Sequence, residues 1–458
     1  MFAVINPSTG NVIREVPGAD AAACEQALAR LQESRVSWRA AGFSGRAAVL
    51  RTIARLLRER SPQLAGLMTE EMGKPVKEAR AEVDKAAWCA EHYAEHAEGY
   101  LAPLDLASDA TRSWVQHPPL GVVLGILPWN APLWLAFRFA APALMAGNTC
   151  MLKYDPHLPG GAAALEELFC DAGCGDFARV VVVDNAQAEK LIRDRRVQAV
   201  SFTGSSRAGA QVASIAASEI KPSVLELGGS DPCIVLADAD LDAAIPLITL
   251  SRIINAGQSC IAAKRIIVET SIYDTVVERL QTRLAALRVG DPAQEATDVG
   301  PIARADLREA LHRQVTASIA QGATCRLGGK MPTGPGFFYP VTLLTEVTPT
   351  MTAFCEETFG PVAVVIKAED ADDAVRLAND TPYGLAASIW TTTERGLALC
   401  QRIEAGQVVL NGVVKTDPRL PSGGIKRSGY GRELGPHGIR QFVNVQQIWV
   451  GPVRPKPA

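Results

Sequence analysis

The chain has 458 residues, with 46 Lys and Arg against 49 Asp and Glu and a formal net charge of −3. At roughly 150 residues per domain, this length holds two or three domains and a core that needs no disulfide or metal staple. The near-neutral balance argues against nucleic acid as the main partner, and 48% hydrophobic residues exclude a mainly disordered chain.

At the N-terminus, Asn6-Pro7-Ser8-Thr9-Gly10 stands where a signal peptide would carry its apolar core, so no such leader is expected. It reads instead as a turn between two short strands. Helical spacing of apolar residues follows over 20–38, 44–70 and 75–98, as at Leu50, Ile53, Leu56 and Leu57. Residues 113–137 contain no Asp, Glu, Lys or Arg and are long enough to span a bilayer. Pro118, Pro119, Pro128, Asn130 and Pro132 interrupt that stretch, so it predicts a buried strand at 121–127 and a helix from Pro132 to about Met145. Further short apolar runs occur at 149–152, 180–183, 198–202, 223–227 and 232–236, with helical segments at 160–172, 185–194 and 205–218. This alternation predicts a parallel sheet covered on both faces. After about 240 a second alternation predicts strands at 264–269, 362–366, 386–390 and 407–410. Its helices are expected at 240–256, 271–287, 303–321, 370–379 and 393–404, and residues 440–450 read as a last strand. The expectation is two closely packed α/β domains without an internal repeat or flexible linker.

Ten Cys are scattered along the chain, none in a Cys-x-x-Cys pair, and no metal site is expected. Free thiols point to a reducing, cytoplasmic compartment. Most should be small buried apolar residues, while one could still be a nucleophile.

Four segments could carry chemistry. In Asn255-Ala-Gly-Gln-Ser-Cys260, the glycine permits an unusual turn, and Cys260 falls at a loop-to-helix or loop-to-strand junction where a thiol can be exposed. A thiolate attacks carbonyl carbon once its pKa is lowered. In Leu225-Glu226-Leu227-Gly228-Gly229, an acid interrupts a buried strand. It is either hydrogen-bonded to the Gly-Gly backbone or a general base with a raised pKa. Asn130, before the helix, is either a plain cap or an oxyanion donor. In Phe202-Thr-Gly204-Ser205-Ser-Arg-Ala-Gly209, a strand, a glycine turn and a helix follow in order, and the helix N-terminus favours a phosphate.

Taken together and in this order, these segments make the chain resemble the aldehyde dehydrogenase superfamily over nearly its full length. The matching segments are Pro128-Trp129-Asn130, Met151-Leu-Lys153, Phe202-Thr-Gly-Ser205, Leu225-Glu-Leu-Gly-Gly229 and Gly257-Gln-Ser-Cys260. Glu356-Glu-Thr-Phe-Gly-Pro361 and Gly423-Gly-Ile-Lys-Arg-Ser-Gly-Tyr-Gly-Arg-Glu433 complete the series. The steps of 34 residues from Glu226 to Cys260 and 97 from Cys260 to Glu357 also look like the family.

The resemblance implies an α/β fold with a Rossmann-like cofactor domain (1–100 and 120–230), a catalytic domain (231–438) and a small β oligomerisation element (101–119 and 439–453). It implies that Cys260 attacks an aldehyde to give a thiohemiacetal, with Asn130 and the Cys260 backbone N–H holding the oxyanion. Hydride passes to a nicotinamide, and Glu226 activates water to hydrolyse the thioester. Relatives that pass the acyl group to coenzyme A typically lack that acid. Trp129, Lys153, Phe202, Gly204, Ser205, Leu227, Glu357 and Phe359 are implied at the cofactor. The Glu that often follows the lysine by three residues in NAD-specific relatives is Pro156 here. That removes repulsion against a 2′-phosphate, so NADP is favoured with NAD also accepted.

Residues 137–147, the loop Asn411–Pro421 and the total length look like the short bacterial succinate-semialdehyde dehydrogenases. A substrate with a free carboxylate needs a cation, and Arg138, Lys415, Arg419 and Arg252 are the options. Two positions depart from the pattern: Ile254 where some members have Arg, and Ser422 where Phe is usual, which puts a smaller and more polar side chain at that part of the tunnel. The expected reaction is therefore oxidation of succinate semialdehyde to succinate. Another small aliphatic or aromatic aldehyde is the alternative, and a Cys-dependent esterase a remote one. The expected partner is a small-molecule aldehyde, without nucleic acid or membrane, in a homodimer or homotetramer whose strands at 101–119 and 440–450 pair between subunits.

Overall fold

The structure is a computed structural model that describes residues 1–451. The last two residues of the expected element 439–453 lie outside the described residues. The N-terminal turn joins the antiparallel strands Phe2–Ile5 and Val12–Val16. Four helices follow, at Ala21–Ala40, Gly42–Glu59, Ser61–Met72 and Val76–Tyr100. The helix expected over 44–70 is thus two helices that meet at Arg60. Pro62 lacks the N–H needed to continue a helix and suits the first turn of a new one. The apolar faces of these helices, with Leu50, Ile53, Leu57, Val83, Ala87 and Tyr93 fully buried, join the core under the first large sheet.

That sheet has the order Gly429–Tyr430, Ser223–Glu226, Val197–Thr203, Val122–Ile126, Thr149–Tyr154, Ala178–Val182. Its five long strands are parallel, and Gly429–Tyr430 pairs antiparallel at the edge, with Gly429 opposite Glu226. Strands 122–126 and 149–154 are buried along their whole length, the first as an unbroken apolar run and the second with Lys153 carried inside. The helix Pro132–Met145 lies tight against them: a Cβ on Gly125 would be 2.5 Å from the Phe139 ring.

The second sheet has the order Thr324–Leu327, Thr342–Thr345, Val362–Ala368, Arg265–Glu269, Pro232–Val235, Ala386–Trp390, Gln407–Leu410. All pairs are parallel except the first. Strands 324–327 and 342–345 have no counterpart in the sequence reading. Each is four residues long, and the edge strand mixes Thr and Arg with apolar residues. Gly429–Tyr430 sits on the first sheet although residues 231–438 were expected to go with the second.

A third sheet joins Gln446–Val450, Arg112–Gln116 and Leu104–Asp105. Two expectations change here. The strand expected over 440–450 begins only at Gln446, because Gly435–Ile439 is a helix and Arg440–Phe442 a tight turn that drives Phe442 into the core, edge-on to Phe139. It pairs with residues 112–116 of the same chain, where pairing between subunits was expected. No helix among the described residues is long and apolar enough to cross a membrane.

Candidate active site

The helix expected over 240–256 ends at Ile253, because Asn255, Ala256 and Gly257 all have left-handed backbones, with φ of 54°, 54° and 75°. Such a conformation costs about 1–2 kcal/mol at Ala256, so the surroundings must hold it. Glu78 accepts the Asn255 N–H at 2.6 Å. Arg252 Nη2 donates to the carbonyls of Gly257 (2.8 Å) and Gly360 (2.7 Å). The Gln258 side chain donates to the Asn255 carbonyl at 3.0 Å and accepts from the Ala303 N–H at 2.9 Å. Cys260 follows, partly exposed, in a loop that leads to strand 265–269. Lys264 Nζ ties the carbonyls of Ser259 (2.9 Å) and Cys260 (2.6 Å) and lies 3.3 Å from Glu357 Oε1. Burial pushes the Cys260 thiol up to about 11, although Lys264 and Arg138 pull it down. The thiol is therefore neutral at pH 7 and needs a base to become a nucleophile.

Asn130 is not a cap. The helix starts behind Ala131 without a side-chain cap, and Glu82 Oε1 instead accepts the N–H groups of Leu133 (2.9 Å) and Trp134 (3.1 Å). Asn130 Nδ2 donates to the Gln258 carbonyl at 3.1 Å. The Asn130 carbonyl accepts from Lys74 Nζ (2.9 Å) and Asn255 Nδ2 (2.7 Å). Lys74 is itself ion-paired with Glu82 in the interior. Asn130 and the Cys260 loop are thus fastened to each other directly.

Glu226 ends its strand 4% exposed. Its Oε2 accepts from Arg138 Nη2 at 2.9 Å, and the same nitrogen lies 2.5 Å from Glu433 Oε2. Glu226 Oε1 has no hydrogen-bond partner among the described residues. Burial pushes the Glu226 carboxyl up to about 7, with the Arg138 charge opposing and the Glu433 charge adding. The alternative of a carboxylate held by Gly228 and Gly229 does not occur, since the Gly229 N–H goes to Glu357 Oε1 at 3.2 Å.

The substrate cations expected from sequence are mostly engaged elsewhere. The Nη2 of Arg138 is divided between two carboxylates, so Arg138 is not a freestanding cation. Lys415 is exposed, Arg419 grips Asp417 at 2.6 and 2.8 Å, and Arg252 is spent on backbone carbonyls. Ser422 is buried, its backbone paired with that of Glu433 and its hydroxyl 3.3 Å from Gln407 Nε2.

Several groups suit a dinucleotide. Lys153 is buried at the end of strand 149–154, and its ammonium has no hydrogen-bond or ion-pair partner among the described residues. Burial lowers its pKa against the pull of Asp155 and Asp184, so an anionic or hydroxyl ligand would satisfy it. Ser205 caps the helix Ser206–Ser218, and Phe202 lies under Gly204, where a Cβ would meet its ring at 2.7 Å. Leu227 packs on Gly209 of the same helix. A Cβ on Gly228 would be 2.2 Å from Glu357 Oε2, and the rings of Trp129 and Phe359 meet edge-on at 5.8 Å. Beside Pro156, Asp155 holds His157 at its N–H (3.0 Å) and its Nδ1 (2.7 Å).

A model of the aldehyde dehydrogenase family matches residues 1–448. The chain belongs to the aldehyde dehydrogenase family. It is 46% identical to a probable succinate-semialdehyde dehydrogenase (NADP+) of Synechocystis sp. over 98% of this chain and 99% of that protein. It is 46% identical to a succinate-semialdehyde dehydrogenase (NADP+) of Mycobacterium avium over 98% and 97%. Its structure matches that of the succinic semialdehyde dehydrogenase of Streptococcus pyogenes in complex with NADP+, with a TM-score of 0.96 and 33% identity over 99% and 100%. The two parallel-rich sheets are those expected of an aldehyde dehydrogenase.

Sequence reasoning missed the groups that hold this aldehyde dehydrogenase site: Glu433, Lys74, Glu82, Lys264 and Glu78. A signal existed for one of them. Lys264 and Arg265 are adjacent cations at the entry to an apolar strand, and both are fully buried.

Proposed function

We propose that this aldehyde dehydrogenase oxidises succinate semialdehyde to succinate with NADP, accepting NAD less well. The observation that carries the hydrolytic half is Glu226, buried, raised to about 7 and left with an unpartnered Oε1. At neutral pH part of its population is ionised and can act as a base on water, while the Cys260 thiol gives its proton to solvent, helped by the Lys264 and Arg138 charges. The sulfur then attacks the aldehyde carbon, and the new oxyanion is held by Asn130 Nδ2 and the Cys260 N–H. When bound, the nicotinamide supplies the hydride acceptor. Loss of hydride from carbon leaves a thioester on Cys260. Glu226 then removes a proton from water as it attacks that carbon, and the Cys260 thiolate leaves with release of the acid.

Lys153, Ser205, Phe202, Gly204 and Leu227 would hold the adenosine and pyrophosphate part, with Trp129, Glu357 and Phe359 toward the nicotinamide. Support for NADP comes from the unpaired ammonium of Lys153, the absence of a carboxylate at Pro156 and the names of the relatives. Ser422 and Arg138 line the substrate side. The three-part division at 1–100 and 120–230, 231–438, and 101–119 with 439–453 goes with this reading. The third sheet would join subunits through its edge at Val445, Trp449 and Val450, which are exposed in the single chain. Ten unpaired cysteines fit a reducing cytoplasm.

An aldehyde panel with both cofactors tests the reading. Succinate semialdehyde should exceed butanal in kcat/KM, and NADP should exceed NAD. Equal rates for both aldehydes would contradict the substrate assignment. Ester turnover without cofactor reduction would contradict the dehydrogenase.

A further inference from the structure

We propose that Lys85, together with Thr416, is the subsite for the carboxylate at the far end of the substrate. Lys85 projects from the helix 76–100 and is half-buried. Its Nζ donates to Thr416 Oγ1 at 3.0 Å and lies 4.2 Å from the centre of the Trp134 ring. No carboxylate lies within ion-pair distance of it among the described residues, so its remaining N–H groups are open to an anion.

Its position follows from the helix beneath. Trp134 and Arg138 stand one turn apart on one face of the helix 132–145. Arg138 binds Glu226, and the helix begins two residues after Asn130. Thr416 belongs to the segment that runs on to Ser422, whose backbone pairs with Glu433, the other carboxylate on Arg138. Lys85 therefore stands over the face that carries the proposed reacting groups, between the two elements that flank Glu226. Trp134 supplies an apolar wall for a short methylene chain, and Lys85 a charge at its end. Lys415, Arg419 and Arg252 are exposed or already bonded.

Burial and the neighbouring Arg138 push the Lys85 ammonium down to about 8, against the opposing pull of Glu82, Cys89 and Asp417. The charge is thus present at pH 7 and lost as pH rises through about 8.

This inference rests on succinate semialdehyde being the substrate, and the test separates the two. The kcat/KM of wild type, Lys85→Gln and Lys85→Arg is measured for succinate semialdehyde and for butanal. Wild type should prefer the charged aldehyde. Lys85→Gln should lose about ten- to a hundredfold on succinate semialdehyde through KM and less than about threefold on butanal. Lys85→Arg should recover most of the loss. The wild-type KM for succinate semialdehyde should rise above about pH 8, and that rise should vanish in Lys85→Arg. If Lys85→Gln keeps the preference, or loses both substrates alike, the subsite is overturned while the substrate reading stands. If wild type has no preference, both are overturned.

Discussion

At the residue scale, the balance at Glu226 decides what the site can do. Burial raises the carboxyl and Arg138 restrains it, leaving it near 7. A base with this value is partly ionised at neutral pH and strong enough to take a proton from water. Only the ionised form works, so acid release should rise with pH through about 7 and then level off. Glu226→Gln should show a burst of NADPH followed by turnover slowed about 10²- to 10⁴-fold, measured by stopped-flow absorbance. Turnover at the wild-type rate would remove Glu226 from the role of base. Arg138→Met would leave Glu226 and Glu433 facing each other without a cation. Breaking a buried pair of this kind costs about 3–5 kcal/mol, read in a urea melt. Cys260, Glu226 and Asn130 stood out only together, since each alone also read as a buried thiol, a held carboxylate or a helix cap. Glu433 was not legible, because a charge in a linear sequence reads as solvated until the fold removes its water.

At the element scale, the segment before Cys260 is the part most dependent on outside support. Three successive left-handed residues are fastened by Glu78, far away in the chain, and by the flanking Arg252 and Gln258, which anchor to Gly360 and Ala303. Gly257 is required twice over: its φ is +75°, and a Cβ would lie 2.2 Å from the Gly360 carbonyl oxygen. Glu78→Ala would leave the Asn255 N–H without its acceptor, at a cost of about 1–3 kcal/mol. It should lower kcat more than it raises the KM for NADP, since the loop bears the thiol and not the cofactor groups. A rise in the KM for NADP as large as the fall in kcat would contradict this. Helix bodies were readable from their spacing, and the helix Pro132–Met145 has the limits its proline predicts. The end at Ile253 was not readable, because Glu78, Ala303 and Gly360, far away in sequence, help to set it, whereas Pro62 marks the break at Arg60. Residues 440–445 deceived for a related reason: their apolar positions suit a strand, but Phe442 is used to pack against Phe139.

At the scale of the whole molecule, strand–helix alternation revealed two parallel-rich sheets. It missed the short strands 324–327, at the sheet edge, and 342–345 beside it, where too few residues carry a pattern. It also missed that the late glycine-rich segment returns to the first sheet. Gly429 pairs with Glu226, and the Ser428 hydroxyl donates to the Gly228 carbonyl at 2.7 Å and accepts from the Gly384 N–H at 3.0 Å. This segment laces the two halves together beside Glu226. With a net charge of −3, attraction for an acidic substrate must be local. Rising salt should therefore change kcat/KM for succinate semialdehyde only modestly. Light scattering should give a dimer or tetramer, and Trp449→Glu on the exposed edge should shift it toward monomer.

The most direct measurement is mass spectrometry of Glu226→Gln quenched in acid after mixing with succinate semialdehyde and NADP. The proposed mechanism predicts a succinyl group on the peptide that contains Cys260, formed only when NADP is present. An unmodified Cys260, or the same adduct without NADP, would contradict it.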